Sequence, residues 1–140
     1  MATGPAATKF SAPTLPNVLL DRAWLVDRLD RAVSTAPITV VTGYPGAGKS
    51  VLLSLWLATR GGDATAWWSC DDWEVTPARF WTSLLTALRT VEPDLGVDAL
   101  DLLQGDEPAT PEIIASLVND LPSRRTTATR VLDDFPLAPP

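Results

Sequence analysis

Histidine is absent from this chain of 140 residues, and cysteine occurs once, at Cys70. Without histidine there is no imidazole ligand for a metal ion and no imidazole base for a catalytic triad. A single cysteine excludes an internal disulfide and fits a reducing compartment. We interpret Cys70 as a small core residue without a catalytic role, because no cationic residue adjoins it in the sequence.

Positive charge and long apolar runs are also scarce. The chain has 11 lysine and arginine residues against 17 acidic residues, a formal net charge of -6, which argues against direct contact with DNA. The longest apolar run, residues 52–58, is interrupted by Ser54 and is too short to span a bilayer. The N-terminal residues lack the apolar core of a secretory signal. We therefore expect a cytoplasmic location without membrane contact.

The apolar residues that are present alternate between strand and helix spacing. Strands are predicted at residues 38–41, 64–70 and 131–134, and helices at 21–33, 49–59, 77–91, 97–103 and 110–121. This alternation predicts an α/β fold with a parallel sheet and helices on both faces. Residues 1–16, rich in alanine, threonine and proline, are expected to be a flexible lead-in, and residues 136–140 a disordered tail.

The stretch GYPGAGKS, residues 43–50, matches the phosphate-loop pattern G-x-x-x-x-G-K-[ST]. Glycines let the loop wrap a phosphate with its backbone N–H groups pointing inward, and the helix that follows adds the positive end of its dipole. Lys49 is suited to the β and γ phosphates, and the Ser50 hydroxyl to Mg²⁺. The predicted nucleotide-binding residues are Gly43, Tyr44, Pro45, Gly46, Ala47, Gly48, Lys49, Ser50 and Val51. The alternative is a glycine turn that binds nothing.

A phosphate loop works with an aspartate at the end of a neighbouring strand, which helps to hold Mg²⁺. Asp133 and Asp134, after the predicted strand, are the candidates. A solvated pair near a frayed terminus is the alternative, and the preceding Arg130 would need a partner if it were buried. Asp71 and Asp72 are a rival pair, which we interpret mainly as a turn at a strand end.

The order of these motifs resembles the N-terminal end of large ATP-dependent transcriptional regulators. These are LuxR-family regulators similar to MalT, of the STAND class of signalling ATPases. Four stretches carry the resemblance, which covers residues 9–135: KFSAPTLPNVLLDRAWLVDRL, VVTGYPGAGKS, AWWSCDDWEVTPARFWTSLLTALRTV and VLDDF.

The resemblance implies a ligand, a metal and a role for each matching stretch. Residues 18–22, with Leu20 and Arg22, would lie near the adenine of ATP. Asp133 would hold Mg²⁺ together with Ser50, and Asp134 would position the attacking water as the catalytic residue. ATP would act as a switch that is hydrolysed slowly.

The resemblance also implies that residues 17–135 form only part of a P-loop nucleotide-binding domain. In such regulators a later strand lies between the phosphate-loop strand and the Walker B strand, and this sequence stops before it. We therefore expect a P-loop NTPase-type sheet truncated after the Walker B strand, in a fragment without sensor and DNA-binding domains. Weak or absent turnover is expected, and the exposed sheet edge could support self-association in a full-length protein.

Two other functions remain open from the sequence. A small stand-alone P-loop kinase or NTPase would need a lid with phosphate-clamping arginines. Arg124, Arg125 and Arg130 cluster, but they lie near the terminus. A non-catalytic interaction module would use an apolar strand edge to pair with another chain.

Overall fold

The computed structural model describes residues 5–17, 21–105, 110–121 and 128–135. In chain order the elements are a short 3-10 helix (Ala7–Phe10), α1 (Ala23–Thr35), α2 (Lys49–Thr59), β1 (Thr65–Ser69), α3 (Pro77–Arg89), α4 (Val97–Leu103), α5 (Thr110–Asp120) and β2 (Thr129–Asp133). Within these described ranges, none of the helices is both long enough and apolar enough to cross a membrane.

The sheet consists of β1 and β2, which pair in parallel. Trp67 lies opposite Val131, and Ser69 lies opposite Asp133. The three central residues of β1 are buried, as expected for a strand covered on both faces. The α/β class and the strands predicted near residues 64–70 and 131–134 are therefore confirmed.

The predicted strand at residues 38–41 is wrong. This segment has no regular secondary structure, and Ile38 and Val40 are 79% and 73% exposed. A strand needs a neighbour whose backbone completes its hydrogen bonds. The sheet found among the described residues has two strands, β1 and β2, and residues 38–41 form neither of them.

The described residues divide into two compact units. The first, which we call the loop unit, comprises the described part of Ala12–Asp63 and contains α1 and α2. Its core is formed by Leu29, Leu52 and Trp56. The indole N–H of Trp56 donates to Asp30 Oδ1 at 2.9 Å, so the largest core side chain has a polar partner at its edge.

The second unit, the sheet unit, comprises the described residues up to Ser11 and from Ala64 onward. One cluster packs Trp68, Cys70 and Ala87 against Phe10, Phe80 and Leu84. A second cluster joins α3, α4 and α5 through Leu85, Ala99 and Ile113. α3 begins at Pro77, as the sequence Thr76-Pro77 predicts. The Thr76 hydroxyl accepts a hydrogen bond from the Arg79 N–H and so caps the helix, and Pro77 is the first helical residue.

Part of the N-terminal lead-in is held in the sheet unit, in contrast to the flexibility expected from its composition. Lys9, in the 3-10 helix, is 7% exposed, and its Nζ donates to Asp71 Oδ1 at 2.8 Å and to Glu74 Oε1. Ser83 Oγ also donates to Glu74 Oε1, at 2.6 Å. We call these four residues the Lys9 network. The boundary between lead-in and nucleotide-binding domain stays a prediction.

The environment of Cys70 supports its interpretation as an inert core residue. Burial, and next the negative charge of Glu74, raise the pKa of the thiol from 9.0 to about 11. This lowers the thiolate fraction at pH 8 about a hundredfold. We expect Ellman's reagent to modify Cys70 about a hundredfold more slowly in the folded chain than in urea. Equal rates in the two states would contradict this environment.

Candidate phosphate-binding site

The phosphate-loop stretch has the backbone shape that its glycines predict. Gly46 and Gly48 have φ angles of +79° and +83°, in the left-handed region that favours glycine. The Ala47 N–H donates to the Tyr44 carbonyl at 3.0 Å, which closes a turn between them. A Cβ added at Gly46 would have no atom of the described residues outside its own chain neighbours within 4 Å. The backbone conformation, and not a lack of space, therefore favours glycine there.

Helix α2 begins at Lys49, directly after the left-handed Gly48. At the N-terminal end of α2, the Leu52 N–H donates a hydrogen bond to the Gly48 carbonyl at 2.9 Å. The preceding turn therefore carries the positive end of the helix dipole, which favours an anion. Ser50 lies in this first turn, as the pattern requires for a metal-facing hydroxyl.

The Lys49 ammonium lies across the loop. Its Nζ donates to the Gly43 carbonyl at 2.9 Å and to the Tyr44 carbonyl at 3.2 Å. Both hydrogen bonds are exposed to solvent, and Tyr44 is 87% exposed. Phosphate oxygens are acceptors of the same kind with more negative charge, so an arriving phosphate can replace these carbonyls as partners of Lys49.

Arg22 is also brought to the loop. Its Nη1 donates to the carbonyls of Ala47 and Gly48 at 3.0 and 3.3 Å. A Cβ at Gly48 would lie 2.7 Å from that nitrogen, so the guanidinium rests against the glycine backbone. The role near adenine that the resemblance implies for Arg22 stays a prediction, and Leu20 and the rest of residues 18–20 lie outside the described residues.

The acidic candidates end the β2 strand in the sheet unit. Asp133 is 6% exposed, so the alternative of a fully solvated pair does not fit it. Its Oδ1 accepts the N–H of Asp134 at 3.1 Å, and Asp134 has a φ of +51° that aspartate tolerates better than most residues. The roles of Asp133 with Mg²⁺ and of Asp134 with water stay predictions.

Arg130 is exposed, so the partner that a buried arginine would need is not required. Its Nη2 lies 3.4 Å from Oε1 of Glu92, whose side chain is 6% exposed. Sequence reasoning missed this pair, because 38 positions separate the two residues. Glu92 directly follows the last apolar residue of the predicted helix, where an acidic residue is ordinarily exposed. Only its burial in the structure marks it as the partner of Arg130.

The rival pair, Asp71 and Asp72, lies in a turn after β1. Asp71 Oδ1 accepts hydrogen bonds from the Trp73 N–H and from Lys9. The interpretation as a strand-end turn is confirmed. Within the described ranges, no group of three or more histidine, cysteine, aspartate or glutamate residues could hold a metal ion. The roles of Ser50 and Asp133 as Mg²⁺ ligands stay predictions.

Comparison with known proteins finds a likeness to part of a protein kinase. The chain is 29% identical over 133 residues to the serine/threonine-protein kinase PknK of Mycobacterium tuberculosis and of Mycobacterium bovis. The alignment covers 92% of this chain but 12% of the kinase, so the chain corresponds to a small part of those relatives. No family model matches the chain. No solved structure matches it either.

Proposed function

We propose that the chain binds ATP, with Mg²⁺, through residues 43–51. In this proposal it is the nucleotide-binding switch segment of a STAND-type regulator similar to MalT, within a P-loop NTPase-type fold. The observation that carries the proposal is the backbone at the start of α2, where left-handed Gly48 leads into a helix that begins with Lys49 and Ser50. This is the shape in which backbone amides and a helix dipole together favour an anion.

Each residue of the loop has a separate task in the proposal. The amides of the loop bind phosphate oxygens, and Lys49 exchanges its two carbonyl partners for phosphate. Ser50 and Asp133 would hold Mg²⁺, which neutralises phosphate charge when it is bound. Tyr44, Pro45, Ala47 and Val51 belong to the site as residues of the loop and of the first helical turn, and Pro45 contributes no N–H donor.

The likeness to a kinase does not favour protein phosphorylation by this chain. The catalytic loop of protein kinases needs the triplet H-R-D, and the sequence contains no histidine. Its glycine stretch also has the spacing G-x-x-x-x-G-K-S and not the G-x-G-x-x-G of protein kinases. The small P-loop kinase alternative gains no support, because Arg124 and Arg125 lie outside the described residues.

The proposal predicts which part of the nucleotide is recognised. In calorimetric titrations with Mg²⁺ we expect the chain to bind ATP and ADP, and AMP at least about tenfold more weakly, since AMP lacks the phosphates that form charge-assisted bonds. Adenosine should not bind measurably. Equal affinities for ATP and AMP would contradict recognition through the phosphate loop.

Turnover is expected to be weak or absent in this chain. Phosphoryl transfer depends on positioning of the attacking water and on charge stabilisation. Asp134 is the residue proposed to position water, and it is exposed at the end of β2. Release of phosphate from ATP should therefore stay near the uncatalysed rate. Rapid release that depends on Lys49 would contradict this part of the proposal.

A further inference from the structure

We propose that Arg22 is a positioning residue of the phosphate loop. Arg22 donates hydrogen bonds to two loop carbonyls and thereby fixes their direction. The N–H groups of Gly48 and Lys49 then point the opposite way, toward the phosphate. The inference rests on the proposed function, because the oriented amides are useful only if an anion binds them. It differs from the adenine role that the family resemblance implies.

The contacts of Arg22 with the loop are made by its guanidinium group. Nη1 donates to the carbonyls of Ala47 and Gly48, at 3.0 and 3.3 Å. A Cβ added to Gly48 would lie 2.7 Å from Nη1 and 2.9 Å from Nη2, which shows how closely the group lies on the backbone. A planar guanidinium with several donors suits this arrangement better than a lysine ammonium.

The direction of the amides follows from peptide geometry. No peptide bond among the described residues is cis. In a planar trans peptide the carbonyl of one residue and the N–H of the next point in opposite directions. A carbonyl of Ala47 turned toward Arg22 therefore turns the Gly48 N–H away from it. The same reasoning turns the Lys49 N–H away, because the preceding carbonyl, that of Gly48, also faces Arg22.

The position of Arg22 is itself fixed by the start of α1. The N–H groups of Leu25 and Val26 donate to the Arg22 carbonyl at 2.9 and 3.0 Å. The neighbouring Asp21 carboxylate accepts the Ala23 N–H at 3.0 Å, so it is engaged with the helix terminus. The Arg22 side chain thus extends from an ordered helix end to the loop. Its contacts with the loop are formed before any phosphate binds, so binding need not order it.

The test measures binding of Mg-ATP and of inorganic triphosphate to the wild-type chain and to Arg22→Ala and Arg22→Lys. Arg28→Ala is the matched control, because Arg28 is an exposed arginine of α1, the helix that Arg22 precedes, and its loss changes net charge equally. We expect Arg22→Ala to weaken both ligands by the same factor, about tenfold. Arg22→Lys should recover part of that loss, and Arg28→Ala should change little.

Three results would overturn the inference. Weaker ATP binding with unchanged triphosphate binding would place Arg22 at the base and not at the loop. Unchanged binding of both ligands, or an equal loss in Arg28→Ala, would leave no specific role for Arg22 in positioning the loop. If Arg22→Ala does not fold, Arg22→Gln replaces it, since it keeps a donor of similar length.

A wild-type chain that binds neither ligand would refute the proposed function separately. The positioning role of Arg22 is then tested by amide hydrogen exchange across residues 43–51 in the ligand-free chain. Faster exchange in Arg22→Ala than in Arg28→Ala would support the positioning role. Equal exchange in the two variants would overturn it.

Discussion

Replacing Lys49 by alanine is expected to weaken ATP binding by about a hundredfold or more, because the variant loses the mobile ammonium group that lies across the loop. The Lys49 ammonium contacts the carbonyls of Gly43 and Tyr44 through solvent-exposed hydrogen bonds. Water can replace it at both carbonyls, so the folded state should be nearly unaffected. The substitution therefore separates binding from folding.

The measurement is fluorescence anisotropy of a labelled ATP analogue titrated with each variant. Arg31→Ala, at an exposed position of α1, is the matched control for loss of one positive charge. An affinity for Lys49→Ala within about threefold of the control would show that the loop is not the binding site.

Replacing Lys9 by alanine is expected to lower the free energy of unfolding of the sheet unit by about 3 kcal/mol or more. The side chains of Lys9 and Glu74 are 8% and 6% exposed, so removal of the lysine leaves a buried carboxylate with one partner fewer. Asp71, by contrast, has a side chain that is 54% exposed. We expect Asp71→Asn to cost less than about 1 kcal/mol, because its pairing with Lys9 is screened by solvent.

Urea unfolding followed by tryptophan fluorescence checks both substitutions. The double variant Lys9→Met with Glu74→Gln is a further control, since it leaves no unpaired buried charge and should regain most of the lost stability. Equal small losses for Lys9→Ala and Asp71→Asn would contradict a buried pair. In that case the Lys9 side chain would contribute little to the stability of the sheet unit.

The same network predicts a direction for the pH dependence of stability. Burial alone would raise the pKa of Glu74, but hydrogen bonds from Lys9 and Ser83 outweigh it, and the net pKa is lowered. Burial alone would lower the pKa of Lys9, but bonds to Asp71 and Glu74 raise it overall. The contribution from Glu74 is therefore lost as pH falls through its lowered pKa, and that from Lys9 as pH rises through its raised pKa.

Local signals in the sequence predict the helices well. The pattern G-x-x-x-x-G-K-[ST] places the start of α2, and the sequence Thr76-Pro77 places the start of α3. Both signals act through bonds to residues a few positions away, so they can be recognised without the tertiary structure.

Contacts between distant residues are where prediction from the sequence stops. Lys9 and Glu74 are 65 positions apart, and a lysine in a segment rich in alanine and proline gives no sign that it is buried. The hydrogen bonds from Arg22 to Ala47 and Gly48 span 25 and 26 positions. Residues 38–41 have the composition of a strand, but a strand also needs a neighbour, which composition cannot supply.

Thermal unfolding of the chain in Mg²⁺, with and without ATP, tests the central claim most directly. A ligand that binds only the folded state raises its stability by mass action. At ATP concentrations about a hundred times the dissociation constant, we expect the midpoint to rise by about 5 °C or more, and AMP to leave it nearly unchanged. An unchanged midpoint at millimolar ATP would contradict the proposal that GYPGAGKS binds nucleotide in this chain.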